Sequence, residues 1–565
     1  MSKRFIVVGG VAGGASVAAR IRRLDENAEV QIYDKGKDIS FSNCCLPNYF
    51  SGEVASIDDL IFYNPDSFKK TYNLDAKTES EVISINAEAH TIQVKDLTSG
   101  QIYEDRYDSL ILSPGAKAIR PKNILGLDKE HVFTLKNVSD VRYLDAHLKN
   151  SSAQEIVVIG GGFIGVEVAE CLRHTGKTVS LVEAGKQIMA PFDDDMVQML
   201  HKELYDNSVD LHLEDGVVEI TDSEVVLASG KRLPAQAVVL AIGVTPDVDF
   251  AVASGIKLGE TGAIAVDHQY RTNLPDVYAV GDAIEVTQRQ TGKKIRLPLA
   301  GPAQKQARDV ADSLFGQMIR NRGVIGSSCI RVFGLNGAST GLNEKDCQKH
   351  GLDYRVAFVI PNDRVGLMPE ATPMHLKVIY QYPTGKILGA QAISKGNPIK
   401  NIDVIATVIS MDGYLEDLKE LELCYAPAFS TAKDAVNFAG IVGMNYLNGV
   451  YEQVPMSSVR QLVEEKAYIL DVRGAQAFEN AHIKGAVNIP LEEIRERYHE
   501  IPKDQPVYIH CRTSWNSYYA ICALKGLGFD NIINIQGSFL GLSYYEYFKD
   551  MTTDRESILT NYNFN

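Results

Sequence analysis

The stretch RFIVVGGVAGGASVAARIRRL, residues 4–24, admits few folds. A short apolar run ends in glycines and passes at once into an alanine-rich segment, which predicts a buried strand, a tight turn and a helix. Gly9 allows the turn, Gly14 allows the helix to pack close, and the helix N-terminus is left facing a pyrophosphate. The middle position of this loop is Val11 rather than glycine. The next predicted strand, AEVQIYD, ends in Asp34, placed to accept from a ribose hydroxyl. The pattern returns in EIVVIGGGFIGVEVAECLRHTGKTVSLVEAGKQI, now with Gly160, Gly162 and Gly165, and with Glu183 closing the second strand. A carboxylate at Glu183 favours NADH by repelling the 2′-phosphate of NADPH; Lys186 softens that preference and leaves NADPH open.

The rest of the composition narrows the setting. With 565 residues the chain is too long for one core. A net charge of −15 argues against a nucleic-acid-binding body, so any anionic ligand needs a local basic patch. No signal-peptide pattern and no membrane-length apolar run is present, so a cytoplasmic protein without a membrane partner is expected. The eight cysteines are scattered with no paired zinc-like spacing; no metal site is expected, and any thiol chemistry belongs to individual residues.

Two further stretches join the glycine units. YDSLILSPGAKAIRP sets Ser113 and Gly115 after a buried strand, and LPDVYAVGDAIEV does the same with Gly281 and Asp282. With VVLAIGVTPDV, these motifs make residues 1–445 resemble the two-dinucleotide flavoprotein disulfide reductases. The resemblance implies FAD on the first unit, NAD(P)H on the second, and Asp282 at the flavin's ribitol.

Within that family, SFSNC resembles the single-cysteine branch, which includes coenzyme A disulfide reductases, NADH oxidases and NADH peroxidases. Cys44 is then the expected redox thiol, a thiolate that attacks a disulfide or persulfide. A helix N-terminus and the flavin are the expected sources of a lowered pKa. The neighbouring Cys45 reads as a small inert residue. The loop GGVAGGAS lacks the histidine that oxygen-reducing members carry, and with AARIRRLDE and NCCLPNYFSG it resembles the coenzyme A disulfide and persulfide reductases. That resemblance implies CoA phosphates on Arg20 and Arg23, which share a helix face, and contacts from Ser40 and Asn43 to the thiol-bearing arm. Arg22 points elsewhere. A solvated charged face accounts for the two arginines equally well. Departures accompany the likeness: Cys45 stands where glycine is common and Asn48 where tyrosine is. The stretch IPNDRVGLMPEATPMHLKV offers none of the histidine and tyrosines by which the family reaches a partner's site, and its Arg364 reads as solvated. Tyr425, in CYAPAFS, is the one such group kept. The family's homodimer is inherited with the resemblance.

After residue 450 the pattern restarts. AYILDVRGAQAFENAHIKGAVNIPLEEI and QPVYIHCRTSWNSYYAICALKGLGF resemble a rhodanese domain, with Cys511 in a loop whose amides would hold a thiolate or persulfide. Active rhodaneses commonly follow that cysteine with a glycine and a second arginine. Here Ser514 and Asn516 stand in those places, which predicts a strained loop and a missing cation, while Trp515 is expected at an apolar pocket mouth. The expected fold is α/β: two Rossmann-like domains for FAD (1–112 and 250–325) and NAD(P)H (113–249), an α+β dimerisation domain (326–446) and an α/β rhodanese domain (455–550). The tail 551–565 reads as a surface extension. The expected activity is FAD-dependent, NAD(P)H-driven reduction of CoA-type disulfides, persulfides or polysulfides, with Cys44, Cys511 and Tyr425 at the chemistry. NADH oxidase activity, or a non-catalytic redox sensor with a docking rhodanese region, are the alternatives.

Overall fold

The computed structural model describes residues 3–564. They divide into two compact units, the first running to Lys186 and resuming over His212–Val324, the second formed by Gln187–Leu211 and Ile325 onward. In the first unit, strand β1 (Arg4–Val8) lies at the centre of a parallel sheet. It pairs with β2 (Glu29–Tyr33) on one side and Ser109–Leu112 on the other; Asp75–Lys77 and Val277–Ala279 form the edges. Phe5, Ile6, Val7 and Ile32 are buried, as a parallel sheet covered on both faces requires. Helix α1 (Ala12–Leu24) packs on the helix Ala300–Leu314. A short helix α2 (Leu46–Ser51) follows Cys44.

The second glycine unit builds its own sheet around β3 (Glu155–Ile159), parallel to β4 (Thr178–Glu183) and to Ala237–Leu240. Its helix α3 (Phe163–His174) receives α2, so the turn that carries Cys44 leans on the helix of the second dinucleotide unit. Between β4 and the edge strand Val209–Leu213 the chain makes an excursion that sequence reading did not foresee. Helix α4 (Asp194–Asp206) belongs to the second unit, so the expected domain 113–249 is not one continuous body.

In the second unit, five antiparallel strands run in the order Ser327–Val332, Leu335–Gly341, Ile387–Ser394, Met374–Gln381, Tyr354–Val359, with helix α5 (Ala435–Leu447) packed on them. A parallel sheet follows in the order Glu452–Val454, Ile532–Ile535, Val507–His510, Tyr468–Asp471, Val487–Asn488. Helices α6 (Trp515–Gly526) and α7 (Ser538–Thr552) belong to that last domain. The tail is not a surface extension: Ile558 and Leu559 are buried, and Leu559 bridges Ile483. Its apolar residues were too few and too irregularly spaced to show a pattern. No helix among the described residues is long and apolar enough to cross a membrane.

One ion cluster ties α4 to the antiparallel sheet. Lys377, on Met374–Gln381, is wholly buried, and its ammonium meets Asp193 at 3.1 Å, Asp195 at 2.7 Å and Glu344. Among the described residues these three alone form a group of three or more side chains spaced as ligands of a metal ion would be, and the Lys377 ammonium supplies the positive charge there. Burial alone would lower Lys377, but the three carboxylates together raise it. Burial pushes Asp195 up to about 6, against the pull of Lys377. A buried ion pair broken on one side costs about 3–5 kcal/mol. In the fold the charged form of Asp195 is already disfavoured, and losing the ammonium disfavours it further. Lys377→Met is therefore expected to destabilise most above pH 7 and progressively less as pH falls through 6 and the carboxylates protonate. Thermal unfolding midpoints at pH 5 and pH 8 measure this; a loss independent of pH would contradict it.

Candidate active site

Backbone geometry fixes both glycine loops. Gly9 has φ +96°, and a Cβ there would sit 2.0 Å from the Ser113 carbonyl oxygen; one on Gly14 would sit 1.8 Å from that of Gly9. No side chain fits either place. Val11 has φ −104°, so the middle position demands no glycine conformation, which explains the substitution. Asp34 accepts from the Gly10 and Gly36 amides, each at 2.7 Å, and burial pushes its carboxyl up. The second loop repeats this arrangement: Gly160 has φ +110°, a Cβ on Gly165 would lie 1.9 Å from the Gly160 oxygen, and Glu183 accepts from Gly161 at 2.8 Å and Gly185 at 2.6 Å. Nothing lies within 4 Å of a Cβ on Gly162, so that stretch of backbone is open to a ligand.

The first loop faces a cavity of about 220 Å³, lined also by Asp34, Asn43, Ser113, Gly115, Lys136 and Gly281–Asp282. The residues fit FAD: the helix N-terminus and glycine amides suit a pyrophosphate, and Asn43 Oδ1 is buried with no partner, an acceptor awaiting a donor. Lys136 was not anticipated. It lies 3.5 Å from Asp282, and in the sequence it is an ordinary lysine just before the helix cap Asn137.

Cys44 follows Asn43 in a single helical turn, and both it and Cys45 are unpaired thiols. The expected lowered pKa is not what the protein groups produce. Partial burial, then the Glu167 carboxylate on α3 and Cys45, push the Cys44 thiol above the ordinary cysteine value, with Lys136 pulling it back and Asp282 opposing. The turn and α2 are too short to act as a strong helix dipole.

Arg20 and Arg23 both line a second cavity of about 330 Å³, with Ser40, Tyr72, Gln304 and Arg308. Arg23 is exposed and Arg20 half-buried. Arg20 is held by Asp312 at 2.6 Å, while Arg22 turns away to bond the Glu26 and Asn73 carbonyls. Ser40 lines this crevice, whereas Asn43 lines the cofactor cavity, so the two do not share one surface. Gln304 and Arg308 stand one turn apart on Ala300–Leu314, a spacing that the sequence did display.

Tyr425 lies in the second unit, half exposed on the segment before α5, its hydroxyl without a partner among the described residues. Within Cys44's own unit it is absent. The histidine of the stretch 360–378, His375, is wholly buried, and burial lowers it to about 3, so it offers nothing to an open site. Arg364 is not merely solvated: it pairs with Asp363 at 3.1 Å and Glu370 at 2.9 Å.

Cys511, buried at the end of Val507–His510, lies in a third cavity of about 330 Å³ with Arg473, Arg512, Asn516, Phe539 and Asn563. The loop strain foreseen for Ser514 is present, at φ +70°. Ser538, at φ +51°, meets it: the two hydroxyls are 2.9 Å apart, and Cys511 donates its amide to Ser538 Oγ at 3.2 Å. The first-turn amides of Phe539 and Leu540 bond the Cys511 and Arg512 carbonyls, both at 3.0 Å. The amides of Thr513, Ser514 and Trp515 find no acceptor among the described residues, as a loop that holds a sulfur anion requires. Asn516 brings no charge, but Arg473 does. Its guanidinium is fixed to Asp471 at 2.6 Å and lies 3.9 Å over the Phe539 ring, on the cavity wall. Trp515 lines the same cavity, half exposed, and meets Phe438 of α5 edge-on at 5.2 Å.

Residues 3–307 match the family described as pyridine nucleotide-disulphide oxidoreductase, residues 328–436 the dimerisation domain of that family, and residues 456–543 the rhodanese-like domain. A coenzyme A disulfide reductase of Staphylococcus epidermidis is 33% identical over 438 residues, 77% of this chain and 99% of that protein. The structure of reduced CoADR-RHD from Bacillus anthracis superposes with a TM-score of 0.94 at 40% identity, covering 97% of this chain and 98% of that one. A NAD-dependent persulfide reductase from A. fulgidus superposes with a TM-score of 0.91 at 32% identity, covering 96% and 100%.

Two outcomes follow from this geometry. In cofactor-free protein, alkylation of Cys44 at pH 7.5 is expected to slow about threefold in Lys136→Met and to speed up by a similar factor in Glu167→Gln, since a raised thiol pKa leaves less thiolate. Equal rates in both variants would show that neither group acts on the thiol. At the sulfur loop, Ser514→Ala keeps the left-handed backbone and loses the hydroxyl, while Ser514→Gly removes the strain. The alanine variant should therefore unfold at the lower temperature, by about 1 kcal/mol; the reverse order would refute the strained geometry.

Proposed function

The chain belongs to the pyridine nucleotide-disulphide oxidoreductase family and carries a rhodanese-like domain, and from that premise we propose that it uses NADH to reduce the sulfur–sulfur bond of a CoA-type persulfide or disulfide at Cys44. One observation carries the substrate reading. The crevice of Arg20, Arg23 and Arg308 reaches Ser40, in the segment that leads to Cys44, within the same unit. Three guanidiniums around one crevice suit a polyphosphate with a thiol at its far end.

Chemically, the Cys44 thiolate attacks the outer sulfur of R–S–SH. The S–S bond breaks, RS⁻ leaves and takes a proton, and Cys44 keeps the sulfur as a persulfide; with a disulfide, it keeps RS as a mixed disulfide. Two electrons then release sulfide or thiol and restore the thiolate. FAD, when bound, supplies the two-electron relay between NADH and sulfur. The first glycine loop, Asp34, Ser113, Gly115 and Asp282 would hold it; the loop of Gly160, Gly162 and Gly165, with Glu183, would hold NADH, the carboxylate disfavouring NADPH. Lys136 stabilises the thiolate that Glu167 and burial oppose. Cys511 takes or delivers sulfane sulfur in the second unit, with Arg473 and Arg512 beside the anion.

Tyr425 we assign to the substrate pocket of a second copy. It shares its loop with Phe429, and Leu367 lies on the segment after Arg364; both are large apolar residues left more than three-quarters exposed, as a face awaiting a homodimer partner would be.

An anaerobic acceptor panel tests the reading. NADH consumption with CoA persulfide should fall about 1,000-fold or more in Cys44→Ser and stay within about threefold in Cys45→Ser. Arg23→Gln or Arg308→Gln should raise KM for CoA persulfide about tenfold, and leave an uncharged small persulfide unaffected, as loss of one charge-assisted phosphate contact predicts. Enzyme that accepts NADH electrons but passes none to any sulfur compound, or that turns over oxygen faster than all of them, would overturn it.

A further inference from the structure

The segment 556–564 forms a strap over the C-terminal domain. Thr560 and His482 exchange two hydrogen bonds, at 2.9 and 3.0 Å, beside the bridge of Leu559 to Ile483. The Tyr562 hydroxyl bonds Asp550, an acid that also holds Arg460 and Arg555. Phe564 packs on Tyr544 at 4.9 Å and Tyr547 at 5.1 Å, with the Lys202 ammonium of α4 4.2 Å over its ring. Between these anchors, Asn563 gives its amide to Ser543 at 3.4 Å and closes one wall of the Cys511 cavity.

Three of the other wall residues are anchored to the sheet and its last helix. Arg473 is locked to Asp471, Cys511 directly follows a central strand, and Phe539 lies in the first turn of α7. Arg473, Gly474 and Cys511–Thr513 lie on the short loops that join strands to helices, whereas Asn563 comes from the segment that follows the last helix, and it is exposed. From this juxtaposition we propose that Asn563 is a specificity-determining residue: the strap sets how broad a sulfur compound can reach Cys511, admitting small or unbranched donors and holding back bulky ones. The inference rests on the sulfur-handling reading of Cys511. With thiosulfate, the Cys511 thiolate takes the outer sulfur, the S–S bond breaks, sulfite leaves with the electron pair, and Cys511 becomes a persulfide anion.

The test uses the full-length, FAD-loaded protein with Asn563→Ala and Asn563→Trp, neither of which removes a buried side chain. Alkylation of Cys511, read by peptide mass, is compared between iodoacetamide and a fluorescein maleimide. The bulky-to-small rate ratio should rise about tenfold in the alanine variant and fall by a similar factor in the tryptophan variant, the scale on which pocket size discriminates. Sulfur transfer from glutathione persulfide should follow through KM, with thiosulfate within about twofold of wild type. Unchanged ratios in both variants, or equal shifts for both probes, would overturn the proposal. Should Cys511→Ser transfer sulfur as well as wild type, the sulfur reading fails on its own, while the alkylation ratio still decides whether Asn563 is the wall.

Discussion

At two points a helix passes so close to a carbonyl oxygen that only glycine fits. A side chain at Gly14 would meet the Gly9 oxygen, and one at Gly165 the Gly160 oxygen, each nearer than two atoms can stand. Because the helix must come that close, its N-terminus is delivered to the end of the strand, and the carboxylates of Asp34 and Glu183 are drawn onto the loop amides beside it. The cofactor cavity, the turn carrying Cys44 and the docking of α2 on α3 are all arranged around these two points of contact. Both glycine loops and the Cys44 turn lie in the same unit of the chain.

What could be read from residues alone follows this division. The glycine loops and their acids were legible because backbone sterics allow one residue type at a few places. Val11 was an apparent flaw only because its motif is usually written with three glycines; its φ shows that the middle one is not conformationally required. The pairing of Arg20 with Arg23 was legible as a helical face, but the presence of Arg308 was not read, because it comes from a helix far along the chain. Lys136 and Glu167 carried no signal, since their influence on Cys44 depends on distance and burial. Among the protein groups, burial and the Glu167 carboxylate push the Cys44 thiol up, an effect that position in the sequence alone does not display.

At the sulfur loop the sequence exposed each departure singly and the fold joins them. Ser514 in place of glycine looked like strain without relief. The relief comes from Ser538, twenty-odd residues away, whose own left-handed backbone turns its hydroxyl toward Ser514 and toward the Cys511 amide. The second arginine is absent from the loop, yet Arg473 brings a charge to the same cavity from another strand end. A loop that departs from its usual pattern in sequence thus keeps the same kinds of group in space.

Helix α4 leaves the dinucleotide-binding sheet between two of its strands and lies against α7, the helix whose first turn bonds the Cys511 loop. His201 of α4 is wholly buried against Phe548, and burial keeps it neutral by lowering it to about 3. Cutting the chain after α5 would strip that helix face and wet the imidazole. The segment 187–211, which in sequence interrupts the second glycine unit, thus depends for its packing on the last helix of the chain, and a chain cut after α5 would leave α4 with an uncovered apolar face.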